Sequence, residues 1–151
     1  MRFWDTSAIV PLCLSEPATP VVRRIAVGDT ALVVYWATRT ECVSAFARRR
    51  REGQLAASAE RQARRVLLAL AAEWSEVLPA DPVRERAERL LGVHPLRAAD
   101  AFQLAAALVW SRDETRACTI VSFDERLRAA AEREGFSVLP EFPTARASSR
   151  G

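Results

Sequence analysis

The chain has 151 residues, half of them hydrophobic and 27% charged, which suits one domain with a real core and argues against disorder. The net charge is +3, and every one of the 22 basic residues is arginine, the side chain whose planar fork best fits phosphate. Three widely spaced cysteines (Cys13, Cys42, Cys118) form neither a disulfide framework nor a zinc motif, and a single histidine (His94) excludes any multi-histidine metal site.

In chain order, residues 2–4 read as a first strand. Asp5-Thr6-Ser7 follow as a turn with helix-capping residues, and residues 8–14 as a short helix. Residues 17–27 form a second helix opened by Pro17 and stopped by Gly28. The β-branched run 31–35 is a second strand. Thr38 or Thr40 caps a helix that passes Glu41 and reaches about Arg51, before Gly53. Apolar residues at helical spacing mark a helix over 58–74. Residues 77–79 read as a short edge strand and 82–91 as a further helix.

An alanine-rich helix spans 97–112, a strand 118–123, a helix 125–134 ended by Gly135, and a last strand 136–139. Strands that alternate with helices predict an α/β fold: a three-layer α/β/α domain over residues 1–142 around a mostly parallel sheet of four to five strands. A small polar tail at 143–151 is expected to fray. The longest apolar run, 66–72, is far too short for a membrane span, and the N-terminus meets Asp5 at once, so no leader peptide is expected and a cytoplasmic location is.

Sites in such sheets lie at the carboxyl ends of the strands. Four acids fall there or in the first turn of the following helix: Asp5, Glu41, Asp100 and Asp124. Asp100 sits in Ala98-Ala99-Asp100-Ala101-Phe102-Gln103-Leu104, too apolar a setting for a solvated acid. Buried acids need a partner or a metal, and clustered carboxylates repel unless a cation joins them. All-oxygen ligation suits Mg²⁺, with Mn²⁺ as substitute. Such a cation suits phosphodiester cleavage, because it neutralises the phosphate and activates water.

At these residues the sequence resembles the PIN-domain family, and within it the VapC-type toxins. The matching pieces are Phe3-Trp4-Asp5-Thr6-Ser7-Ala8, Thr40-Glu41-Cys42-Val43-Ser44-Ala45, the segment from Leu96 to Ala105 around Asp100, and Ile120-Val121-Ser122-Phe123-Asp124-Glu125-Arg126-Leu127. The resemblance runs over about residues 1–140 and places the family's four acidic positions on Asp5, Glu41, Asp100 and Asp124, the fourth being variable in the family. It implies an Mg²⁺- or Mn²⁺-dependent endoribonuclease, often a homodimer, silenced by a cognate VapB-type antitoxin. It also makes Thr6, Ser7 and Ser122, beside the acids, candidates for hydrogen bonds that orient them.

Arg97, Arg48 and Arg49 are candidates for RNA or phosphate contact. The run Arg48 to Arg51 also suits the negative end of its helix. His94 reads as a loop residue satisfied by backbone, and Trp4, Trp36, Trp74 and Trp110 as core or interface residues rather than base platforms. A phospho-acceptor domain of the receiver type would need a lysine at its site, and the chain has none. A PIN module that binds without cutting, or an RNA-processing PIN nuclease outside toxin–antitoxin systems, stands as the alternative.

Overall fold

A computed structural model of the protein describes residues 1–142; the expected frayed tail lies outside the described residues. Five short strands form one sheet: β1 (Arg2–Trp4), β2 (Leu32–Tyr35), β3 (Ser75–Val77), β4 (Thr119–Val121) and β5 (Ser137–Leu139). Their order is β3-β2-β1-β4-β5, and every pairing is parallel rather than mostly so. Seven α-helices connect them: α1 (Thr6–Cys13), α2 (Thr19–Val27), α3 (Thr38–Arg51), α4 (Ala57–Glu73), α5 (Asp81–Val93), α6 (Ala98–Ser111) and α7 (Glu125–Arg133).

Strand side chains alternate between two cores. Trp4, Val34 and Val121 face Ile9, Val22, Phe46 and Leu67 of α1 to α4, whereas Phe3, Val33 and Ile120 face Leu90, Leu104 and Leu127 of α5 to α7. Both faces are covered at the centre, which is why β1, β2 and β4 carry consecutive buried apolar residues (Phe3-Trp4, Val33-Val34, Ile120-Val121), whereas the edge strand β3 is Ser-Glu-Val and mostly exposed. The central strand β1 pairs Phe3 with Ile120 on one side and with Val33 on the other, so the carboxyl ends of β1, β2 and β4 lie side by side.

Several boundaries differ from the sequence reading. Helix α1 starts at Thr6, because the Asp5 side chain caps it by accepting from Ser7 N. Helix α3 starts at Thr38 with no side-chain cap; neither Thr38 nor Thr40 fills that role, and Thr38 is buried. Strand β3 occupies 75–77 instead of 77–79, since its pairing with Val33 to Tyr35 fixes the register. Strand β4 stops at Val121, where Ser122 turns toward the site.

His94 is buried, but its partner is a carboxylate rather than backbone: Nε2 lies 2.7 Å from Glu134 Oε1, and Arg89 holds the same acid at 2.8 Å. Glu134 caps the C-terminus of α7, the far end of that helix from Asp124. Arg89, with His94 adding, holds the Glu134 carboxyl below the ordinary range against the opposing effect of burial. Among the described residues no helix is long and apolar enough to cross a membrane.

Gly135 follows α7 at φ +98°, and a Cβ there would stand 2.6 Å from Thr115 Oγ1. That hydroxyl donates to Glu134 O at 2.7 Å, so it cannot retreat without losing its bond. Gly135→Ala is expected to destabilise the fold by about 2–3 kcal/mol, read as a lower urea midpoint at unchanged slope. Gly28→Ala, whose new Cβ meets nothing nearer than 3.6 Å, is the control and should cost less than about 1 kcal/mol.

Candidate active site

Asp5 leaves β1 and is 5% exposed. Its Oδ2 accepts from Ser7 Oγ at 2.5 Å, Ser7 N at 3.2 Å and Ser122 Oγ at 3.0 Å. Ser7 Oγ accepts in turn from Phe123 N at 2.8 Å, and Ser122 Oγ from Asp124 N at 3.1 Å. Two hydroxyls thus tie the end of β1 to the end of β4. Asp5 Oδ1 has no donor among the described residues. Burial pushes the Asp5 carboxyl up to about 6, with the Glu41 charge adding, against the lowering effect of the Ser7 and Ser122 hydrogen bonds.

Asp124 caps α7 through Oδ1, which accepts from Leu127 N at 2.8 Å. Asp100, in the first turn of α6, takes a long bond of 3.4 Å from Arg97 N to Oδ2. Burial raises the Asp100 carboxyl above its usual range, and the neighbouring Asp124 charge raises it further. Each of these three aspartates therefore engages one oxygen with the protein and leaves the other without a donor among the described residues. Glu41, in the first turn of α3, accepts from Thr6 Oγ1 at 2.7 Å, and Gln103 Nε2 lies 3.3 Å from each of its oxygens.

All four acids, with Thr6 and Ser7, line one cavity of 390 Å³. Asp100 and Asp124 also line a neighbouring one of 530 Å³. Arg48 and Arg49 border the first, Arg97 and Arg126 the second. Arg49 pairs with Glu16, also on the rim. Arginines thus border both cavities that the acids line. Arg50 turns instead to Glu60 at 3.6 Å, and Arg51 is exposed. Trp4 and Trp110 are packed in or against the core, whereas Trp36 is 52% exposed.

Hard oxygen donors fit a cation such as Mg²⁺. As they lie, no three acidic, histidine or cysteine side chains among the described residues converge closely enough to grip one ion. Each of the four accepts instead from a donor of the protein itself.

Sequence reading passed over Arg126 and Gln103. A signal for Gln103 existed: apart from Asp100 it is the one long polar side chain in α6, three residues on and hence on the same face. Arg126 carried no such signal, because its place beside Asp100 depends on how α7 packs near α6.

Several solved structures share the fold, VapC20 and FitAcB among them. VapC20 of Mycobacterium tuberculosis, a sarcin–ricin-loop-cleaving toxin, is 17% identical with a TM-score of 0.62, covering 86% of this chain and 95% of its own. FitAcB of Neisseria gonorrhoeae is 18% identical with a TM-score of 0.59, covering 93% and 97%. Among curated proteins none matches the chain. One family model spans residues 2–133, from β1 through β4 and α7, with all four acids inside the matched stretch: the chain belongs to the PIN domain family.

Proposed function

We propose that this protein is a metal-dependent endoribonuclease, the toxin of a VapBC-type toxin–antitoxin pair. The observation that carries this reading is the lining of one cavity by Asp5, Glu41, Asp100 and Asp124. These four would hold Mg²⁺ or Mn²⁺. A divalent cation in such a site supplies charge neutralisation at the scissile phosphate and activation of water for in-line attack. Thr6, Ser7 and Ser122 orient the acids, and Ser7 and Ser122 keep the protein-facing oxygen of Asp5 occupied.

Arg48 beside the first cavity and Arg97 and Arg126 beside the second would offer guanidinium groups to substrate phosphates, as would Arg49 on release from Glu16. The toxin role, the VapB-type antitoxin and a homodimeric state are drawn from the resemblance to VapC-type toxins. VapC20, a toxin that cleaves the sarcin–ricin loop, shows such an activity on the same fold. A cytoplasmic location would follow from an RNA substrate.

Cleavage of total RNA by the purified protein, with Mg²⁺ or with EDTA, tests the nuclease. Asp100→Asn keeps the shape and removes one charge, so fragments should need metal and disappear in the variant while the fold survives. Cleavage by Asp100→Asn at the wild-type rate would remove Asp100 from the site. The alternative reading is a PIN module that binds RNA or protein without cutting. Metal uptake with no cleavage of any RNA would establish it.

A further inference from the structure

We infer that Gln103 is a positioning residue for Glu41: its buried side-chain amide holds the Glu41 carboxylate and the Thr6 hydroxyl in the geometry that receives the cation. This rests on the metal-centre reading of the four acids. Gln103 is 1% exposed, on the face of α6 that carries Asp100. Its Nε2 lies 3.0 Å from Thr6 Oγ1, 3.0 Å from Thr38 Oγ1 and 3.3 Å from both oxygens of Glu41. The Thr6 hydroxyl proton goes to Glu41 Oε2, so Thr6 can only accept from the amide. Two amide hydrogens therefore serve four acceptors.

The other end of the amide marks what the residue is for. Gln103 Oε1 is buried with no donor among the described residues. An orphaned buried oxygen is costly, and an apolar residue would suit this alanine-rich helix better. Turning the amide over would set Oε1 against a carboxylate that can only accept. Negative charge on Glu41 thus fixes the orientation and accounts for the orphan. The amide also joins the three elements that carry acids around it: Asp5 caps α1, Glu41 is on α3 and Asp100 on α6.

The test is calorimetric titration of Mn²⁺ into the full chain, into Gln103→Met, into Glu41→Ala and into the double variant. RNA cleavage at saturating Mn²⁺ is the second readout. Loss of such a supporting contact weakens metal binding about ten- to a hundredfold, and Gln103→Met should show that loss with KM for RNA unchanged. In the Glu41→Ala background the same change should alter affinity less than about twofold, since Gln103 acts through Glu41. Thr38→Val removes a competing acceptor of the same amide, and it should leave affinity within about twofold.

Equal losses in both backgrounds, or a Thr38→Val loss matching that of Gln103→Met, would overturn the proposal. If the wild-type protein takes up no Mn²⁺, the metal-centre reading fails by itself. Urea midpoints of the same four metal-free proteins then decide the contact: a Gln103→Met shift that is larger with Glu41 present keeps it, and additive shifts overturn it.

Discussion

Asp5→Asn is expected to lower RNA cleavage by about a hundred- to a thousandfold in kcat while making the metal-free protein more stable at pH 7.5. The two effects share one cause. Asp5 is 5% exposed, and burial lifts its carboxyl from 3.8 to about 6. At pH 7.5 the group is ionised in the folded protein at a cost of up to about 3 kcal/mol relative to the unfolded chain. Asparagine keeps an oxygen for the donors on Ser7 and Ser122 and removes that charge. It also removes the oxygen anion that a cation would bind. Cleavage assays and urea unfolding of the two proteins check both halves. An active variant would take Asp5 out of the chemistry, and an active and less stable one would mean that its carboxylate is structural.

The second large effect is on pH. A carboxyl raised in the folded state binds its proton more tightly there than in the unfolded chain. Stability of the metal-free protein should therefore rise as pH falls from about 7 through 6 toward 4. Asp100, also raised by burial and by Asp124, acts in the same direction. Glu134 and Asp113, whose carboxyls arginines hold below the usual range, oppose this only at lower pH, where they take up protons and lose their partners. The optimum for the metal-free fold should thus lie on the acid side of neutral.

Metal binding should run the other way, because a cation held by Asp5 would have to displace its proton. Mn²⁺ affinity is expected to fall about tenfold per pH unit below 6 and to level off above it. Calorimetric titrations between pH 5 and 8 measure that slope. Affinity independent of pH across this window would mean that Asp5 is not a ligand.

What the sequence by itself determined is the order of elements and the address of the acids. Apolar runs of two periodicities, broken by Gly28, Gly53 and Gly135, are local signals. So is an aspartate placed after each of two strands. These suffice for a parallel sheet with Asp5, Asp100 and Asp124 near its carboxyl edge, since a parallel α/β chain brings successive strand ends to one side.

The tertiary structure alone decided what these acids touch. Strands of three or four residues have their bounds set by pairing partners, which is why β3 lies two residues earlier than its composition suggests. The bond from Phe123 N to Ser7 Oγ spans 116 residues, and that from Gln103 to Thr6 spans 97. His94 finds Glu134 across 40 residues, where a loop reading offered only backbone. Arg126 reaches a cavity that the acids line, and Arg50 turns to Glu60, according to how α7 and α4 pack. Local propensity carries no record of such contacts: they form when packing the two apolar faces of the sheet fixes which polar groups remain together at its edge.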